Sequence, residues 1–392
     1  VIIGNANLGR GNPAVEALLN SGVAFCSGAE YLGRYLLDNK WVVAVAGTHG
    51  KTTSASMIAW ILEYAGLSPG FLIGGIPANF QHSARLSDSN FFVIEADEYD
   101  TSYFDRRSKF LHYQPRTVVL NNLEFDHADI FENLKAIQQQ FHLLIRSVPG
   151  NGQLILPEDD KALNEVIAQG CWTPQVRFSS KQNSKAEIRA GAISADGSKF
   201  KITVVDQYQG TINWNLTGQH NVYNACAAIA AARHVGVPAA MAIQGLNEFE
   251  GVKRRMERLI DLPRLKLYDD FAHHPTAIQT TLEGLRAQAG GATIVALIEP
   301  GSATMRKGIH GKQLIVATKA ADQVFWMQPD NVEFQLSKLL PESGHRLFTD
   351  SHALIQAVQQ LATETKNELH LIMMSNTSFD GMAKKLLGTL SQ

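Results

Sequence analysis

From Trp41 onward the chain repeats one pattern, a short apolar run followed by a polar turn and an amphipathic stretch. Residues 41–46 are apolar and valine-rich without interruption, as expected of a strand buried on both faces. Met57, Ile58, Ile61 and Leu62 then recur at helical spacing, and Gly66 supplies a stop. Phe91-Phe92-Val93-Ile94 and Thr117-Val118-Val119-Leu120 read as further buried parallel strands, each ending directly in a polar cluster. Between about 176 and 216 the texture changes to alternating polar and apolar positions with an Asp196-Gly197 turn, which predicts antiparallel hairpins added to the parallel sheet. A helix over 222–234, almost continuously small and apolar, follows. A second alternation starts near Leu262-Pro263, with a strand over 265–268, a helix from Thr276, and strands over 293–298, 323–327 and 369–374. This is an α/β, doubly wound pattern.

The opening residues Val1-Ile2-Ile3-Gly4-Asn5 read as a buried strand that begins without Met, and residues 11–19 give a turn and an amphipathic helix. That is the texture of the later half of an α/β domain, so further sequence is expected ahead of Val1. At 392 residues the chain exceeds one hydrophobic core, and two or three domains are expected. With 45% hydrophobic and 18% charged residues and a net charge of -2, it carries neither a basic field for nucleic acid nor an acidic tail. Cys26, Cys171 and Cys226 are odd in number and lack CxxC spacing, which argues against both a disulfide framework and a structural zinc site and fits a reducing, cytoplasmic setting. No apolar run approaches the roughly 20 residues of a membrane span.

The chemistry gathers where the apolar runs end. Gly47-Thr48-His49-Gly50-Lys51-Thr52-Thr53 lies between a buried strand and a helix, where backbone N–H groups and the helix N-terminus face an anion. In such a loop Lys51 holds the β/γ-phosphates and the Thr52 hydroxyl ligates magnesium. Val45 stands where the long form of the motif has Gly, so this is a shortened variant; a glycine-rich turn with a chance lysine is the plain alternative. Glu95-Ala96-Asp97-Glu98 and Asn121-Asn122-Leu123-Glu124-Phe125-Asp126-His127 follow the next two strands, with oxygens and an imidazole suited to magnesium. Taken alone, an acidic tetrapeptide is more often a solvated loop or helix cap, and a lone His more often a satisfied hydrogen-bonding residue. Their convergence with the phosphate loop on one sheet edge favours a site. His220, Asn221 and Asn224 open the small-residue helix, where Asn221 also reads as an N-cap. Residues 251–255, with Arg255, and residues 269–275, with Asp270, read either as local turns or as nucleotide contacts.

These five segments, in this order, resemble the Mur ligase family, and the similarity spans essentially the whole chain. The resemblance implies three units: 1–40 as the remainder of a sugar-nucleotide domain lacking its opening strand and glycine-rich loop, 41–261 as a central P-loop ATPase domain, and 262–392 as a C-terminal Rossmann-like domain. It implies ATP and Mg2+, with Lys51 and Arg255 at the phosphates and Thr52, Glu95 and His127 at magnesium. Asn122, His220, Asn221 and Asn224 then belong to the nucleotide site, Asn221 and Asn224 beside the adenine, with Asp270 on the ribose. Residues 94–131 look like the members that attach the peptide L-Ala-γ-D-Glu-meso-diaminopimelate to UDP-N-acetylmuramate through an acyl phosphate. L-alanine addition to the same sugar nucleotide and a nucleotide switch are the competing readings. The chain departs from the tripeptide-adding pattern at Gly301, where those members carry Arg, and at Thr377-Ser378 and Asp380 within 375–381. No lysine aligns with the carbamylated lysine of some members, Lys135 being nearest and reading as a surface helix residue.

Overall fold

The computed structural model describes residues 1–5, 8–181, 183–328, 332–341 and 343–390. In the first unit, strands β1 (Ile2–Ile3) and β2 (Cys26–Ser27) pair in parallel around helix Pro13–Ser21. Asn12 caps that helix by accepting a hydrogen bond from the Ala14 amide, and Gly22 ends it at φ 66°. The opening run is less enclosed than its composition predicts: Ile3 is buried, but Val1 and Ile2 are exposed, since only a two-residue ladder pairs with this segment.

The central sheet contains β3 (Trp41–Ala46), β4 (Gly70–Leu72), β5 (Ala84–Arg85) and β6 (Phe91–Glu95). After a separate hairpin of β7 (Asp100–Ser102) and β8 (Asp105–Ser108), it continues with β9 (Thr117–Leu120), β10 (Gln153–Pro157), β11 (Gln175–Ser179), β12 (Ile188–Ala192), β13 (Lys199–Val204) and β14 (Gln207–Asn213). The ten strands lie in the order β14-β13-β12-β11-β10-β9-β3-β6-β4-β5. The Asp196-Gly197 turn joins β12 to β13, and β12, β13 and β14 pair antiparallel as expected. However, β11 and the start of β12 still pair in parallel, so the antiparallel hairpins begin one crossover later than the alternation suggests.

The continuous apolar runs have a simple cause. Val43, Val45, Val93 and Val119 enter the core beneath helices Lys51–Tyr64 and Gln219–His234, while Val42, Ala44, Ala46, Ile94 and Leu120 enter the core beneath helix Leu134–Ser147. Successive residues of each strand therefore serve opposite cores. Helix Gln219–His234 packs directly on Lys51–Tyr64, and its small buried residues allow that close approach.

The last unit has six strands: β15 (Glu257–Asp261), β16 (Leu265–Asp270), β17 (Thr293–Ile298), β18 (Gln323–Met327), β19 (His345–Phe348) and β20 (Leu369–Met374), in the order β15-β16-β20-β17-β18-β19. All pairings are parallel except β15 with β16. β15 precedes Leu262 and buries only Ile260, so no apolar run announces it. Segments beyond the carboxyl ends of β9, β16 and β17 meet at the junction of the two larger units, where ligands bind in open α/β sheets.

Candidate functional site

The phosphate loop needs both of its glycines. Gly47 has φ 140°, and a Cβ there would lie 3.0 Å from the Asn121 Cβ; Gly50 has φ 79°, and a Cβ there would lie 2.6 Å from the Asn224 Oδ1. Either substitution meets strain and crowding together. Beneath the loop runs a buried polar chain. Asn121 Nδ2 donates to Ser54 Oγ at 2.9 Å, Ser54 Oγ donates to Asn224 Oδ1 at 3.1 Å, Asn224 Nδ2 donates to Asn221 Oδ1 at 3.3 Å, and Asn221 Nδ2 donates to the Thr217 carbonyl at 2.8 Å. Asn221 is therefore no N-cap; Gly218 holds that position without a side-chain bond. Asn122 grips the His49 backbone from both sides, accepting from its amide at 2.8 Å and donating to its carbonyl at 3.1 Å. Thr48 accepts from the Glu124 amide at 2.8 Å, which ties the loop to the end of β9. Thr53 is buried in the first turn of the helix.

Two clusters flank Lys51. In the first, Lys51 Nζ donates to the Gly47 carbonyl at 2.7 Å and to Glu98 Oε2 at 3.3 Å, while Glu98 Oε1 lies 2.9 Å from His127 Nε2. Tyr99 OH meets the other ring nitrogen of His127 at 2.6 Å. Burial alone would raise the Glu98 carboxyl, but the Lys51 ammonium and His127 hold it down at about 2. Burial likewise opposes charge on Lys51 and His127, and the surrounding carboxylates outweigh it and raise both. In the second cluster, Thr52 Oγ1 donates to Glu95 Oε2 at 3.1 Å and accepts from Arg255 Nη2 at 3.3 Å, and the Gly74 amide donates to Glu95 Oε1 at 2.6 Å. Burial, with Asp97 nearby, raises the Glu95 carboxyl. Among the described residues Glu95 has no ion pair, so its half-buried carboxylate lacks the full cation that Glu98 has. Thr52 and Glu95 therefore meet directly, whereas His127 stands in the other cluster with its ring nitrogens facing Glu98 and Tyr99.

The remaining candidates separate. Arg255 is held over the Phe271 ring at 4.7 Å and faces the loop. Asp270 is buried, accepting from the Met256 amide at 2.8 Å and from the Ala272 amide at 2.9 Å, and so fixes the turn that presents Arg255. His220 is pushed down to about 4, first by burial and then by Arg255, which keeps it neutral. His274 caps helix Pro275–Ala289 by accepting from the Thr276 amide, which favours the helix-start reading of residues 269–275. Lys135 is exposed on helix Leu134–Ser147, as expected of a surface residue.

Some contacts carry no sequence signal. Thr304 Oγ1 donates to Asp126 Oδ1 at 2.6 Å and accepts from the Ala128 amide at 3.2 Å, thereby bracketing His127, whose φ is 56°. Thr276 Oγ1 donates to Glu124 Oε2 at 2.7 Å, and Arg254 Nη2 donates to the carbonyls of Ser375 and Thr377 at 2.7 and 2.8 Å. Gly301 packs against the 375–377 turn: a Cβ there would lie 2.4 Å from the Asn376 Oδ1 and 2.5 Å from the Thr377 Cγ2, so two departures from the pattern, Gly301 and Thr377, are neighbours.

Residues 45–232 match the Mur ligase middle domain, and residues 254–375 match the Mur ligase, glutamate ligase domain. The chain is 46% identical over its whole length to the UDP-N-acetylmuramate–L-alanyl-γ-D-glutamyl-meso-2,6-diaminoheptandioate ligase of Escherichia coli K12, covering 85% of that protein. Its structure resembles the murein peptide ligase of Psychrobacter arcticus, with a TM-score of 0.73 and 40% identity, over 100% of this chain and 86% of that one. A UDP-N-acetylmuramate–L-alanine ligase of Caldicellulosiruptor bescii is 34% identical, over 76% of this chain and 64% of the relative. Similarity along the full length, joined to matches in both larger units, makes this chain a member of the Mur ligase family.

Proposed function

We propose that the chain is an ATP-dependent ligase that joins L-alanyl-γ-D-glutamyl-meso-diaminopimelate to UDP-N-acetylmuramate, acting in the cytoplasm in the recycling of murein peptide. The observation that carries the reading is full-length identity of 46% to a ligase named for those substrates, against 34% over 76% of the chain for an L-alanine ligase. In this reading residues 1–40 belong to the sugar-nucleotide unit, 41–261 to the ATPase unit and 262–392 to the unit that receives the peptide.

The lactyl carboxylate of UDP-N-acetylmuramate attacks the γ-phosphorus of ATP, giving an acyl phosphate and ADP. The peptide's α-amine attacks the acyl carbon, the C–O bond to phosphate breaks, and the amide forms as the amine loses a proton. Two anions must approach in the first step, so positioning and charge neutralisation dominate catalysis. Lys51 and Arg255 supply fixed positive charge, and the amides of 47–53 face the phosphates. Thr52, Glu95 and His127 would hold Mg2+, whose chemistry here is neutralisation of phosphate charge. Support for that assignment comes from the Glu95 carboxylate, which accepts from the Thr52 hydroxyl and makes no direct ion pair among the described residues. Asn121, Asn122 and Asn224 shape the loop from below, and Asp270 fixes the turn carrying Arg255.

The test is phosphate release and product mass with ATP, Mg2+ and UDP-N-acetylmuramate, adding either the tripeptide or L-alanine. Tripeptide-dependent release with a UDP-linked tripeptide product is expected. Alanine-dependent release would reassign the chain to L-alanine addition, and slow hydrolysis indifferent to both would make it a nucleotide switch.

A further inference from the structure

Three side chains meet at the junction of the two larger units outside the set assigned to magnesium. They are His49 in the phosphate loop, Glu124 beyond β9, and His274 at the start of helix Pro275–Ala289. His49 Nε2 lies 3.4 Å from Glu124 Oε2, His274 Nδ1 lies 3.3 Å from the same oxygen, and the three atoms lie within 4.8 Å of one another. Tetrahedral zinc with bonds of about 2.0–2.1 Å sets neighbouring ligand atoms about 3.3–3.4 Å apart, so two edges already have that length. The rings of His49 and His274 lie 4.4 Å apart, and His310 packs edge-on against His274 at 4.5 Å with its buried Nε2 unpartnered in the structure.

We propose that His49, Glu124 and His274 form a binding site for a divalent transition metal, of the zinc class, that clamps the C-terminal unit onto the phosphate loop. Two imidazoles and one carboxylate, with a fourth position left to water, are a donor set for zinc rather than magnesium, which prefers oxygen. The geometry leaves both donors able to bind: His274 Nδ1 accepts from the Thr276 amide and so presents a lone pair, and Glu124 Oε2 accepts from the Thr276 hydroxyl. Without metal, the same groups form a hydrogen-bonded clasp in which Thr276 donates its hydroxyl to Glu124 at 2.7 Å and its amide to His274 Nδ1 at 3.3 Å. The metal would replace the longer of these bonds. Because one ligand sits in the phosphate loop and another on the opposite unit, occupancy holds the junction closed, and zinc slows turnover.

The experiment is calorimetric titration of the whole chain with Zn2+ in saturating Mg2+ and without substrates, which makes it independent of the proposed reaction. One ion per chain is expected. His274→Asn retains a capping side chain but removes the imidazole, and it weakens binding at least about 10-fold. Glu124→Gln does the same, and His127→Ala leaves the affinity unchanged. Co2+ in the native chain is expected to show the visible bands of a four-coordinate ion, and to lose them in His274→Asn. Thermal melting of each variant separates loss of the site from loss of the fold. The proposal is overturned by absence of stoichiometric binding, by binding lost in His127→Ala but kept in His274→Asn, or by binding that no variant alters.

Discussion

Glu95 and Glu98 leave the same strand three residues apart and reach opposite electrostatic states. Glu98 lies between Lys51 and His127, and the Lys51 ammonium together with the hydrogen bond from His127 holds its carboxyl at about 2 against the cost of burial. Glu95 is half-buried, its partners are one amide and one hydroxyl, and its carboxyl is raised. A carboxylate already paired contributes to the fold. One left without a full cation is prepared for a cation that arrives with substrate. Glu98 thus holds Lys51 and His127 in place, and under the proposed function Glu95 is the carboxylate left to meet the incoming metal.

The comparison can be sharpened by substitution. Lys51→Ala removes the charge facing phosphate and strands Glu98, so a fall in kcat of about 10²–10³-fold is expected at saturating ATP; intact turnover would remove the loop from the mechanism. Glu98→Gln breaks a buried pair, and denaturant unfolding should show a loss of about 3 kcal/mol. The pH dependence has a definite sign. Glu98 contributes stability fully above its ordinary value of 4.5, and that contribution disappears as pH falls toward about 2, so the stability gap between native chain and variant should narrow with acid. Glu95→Gln should do the reverse, raising the half-saturating magnesium concentration about 10–100-fold with little change in the unfolding midpoint. If Glu95→Gln lowered the unfolding midpoint and left the magnesium titration unchanged, the two residues would have exchanged roles. The smallest effect is expected at Thr304→Val, which leaves Asp126 only the His127 amide as donor and the Ala128 amide no side-chain acceptor, at a cost of about 1 kcal/mol, with Thr304→Ser restoring it.

What the sequence disclosed follows from the range of each interaction. The phosphate loop, the strands at Trp41, Phe91 and Thr117, and the helix behind Gly218 are local features whose periodicity and glycine placement can be read in a few residues. Glu98 lies inside the acidic segment singled out in the sequence, but composition cannot distinguish it from Glu95; only the approach of Lys51 and His127 does. Asp126 with Thr304, and Arg254 with Ser375 and Thr377, join residues more than a hundred apart through one or two polar atoms, which leave no periodic trace. β15 escaped because an edge strand burying one residue has no apolar run. Asp270 was singled out in the sequence for a nucleotide contact, while the fold engages both its oxygens with backbone amides.

The most direct test of the central claim is the fate of oxygen in the lactyl carboxylate. UDP-N-acetylmuramate labelled with 18O in that group, turned over with ATP and the tripeptide, should deliver one labelled oxygen to the released phosphate, because the carboxylate oxygen that attacks phosphorus leaves with it when the amine arrives. Unlabelled phosphate, with all of the label retained in the sugar nucleotide, would contradict an acyl phosphate and with it the account of why Lys51 and Arg255 are gathered at the phosphate loop.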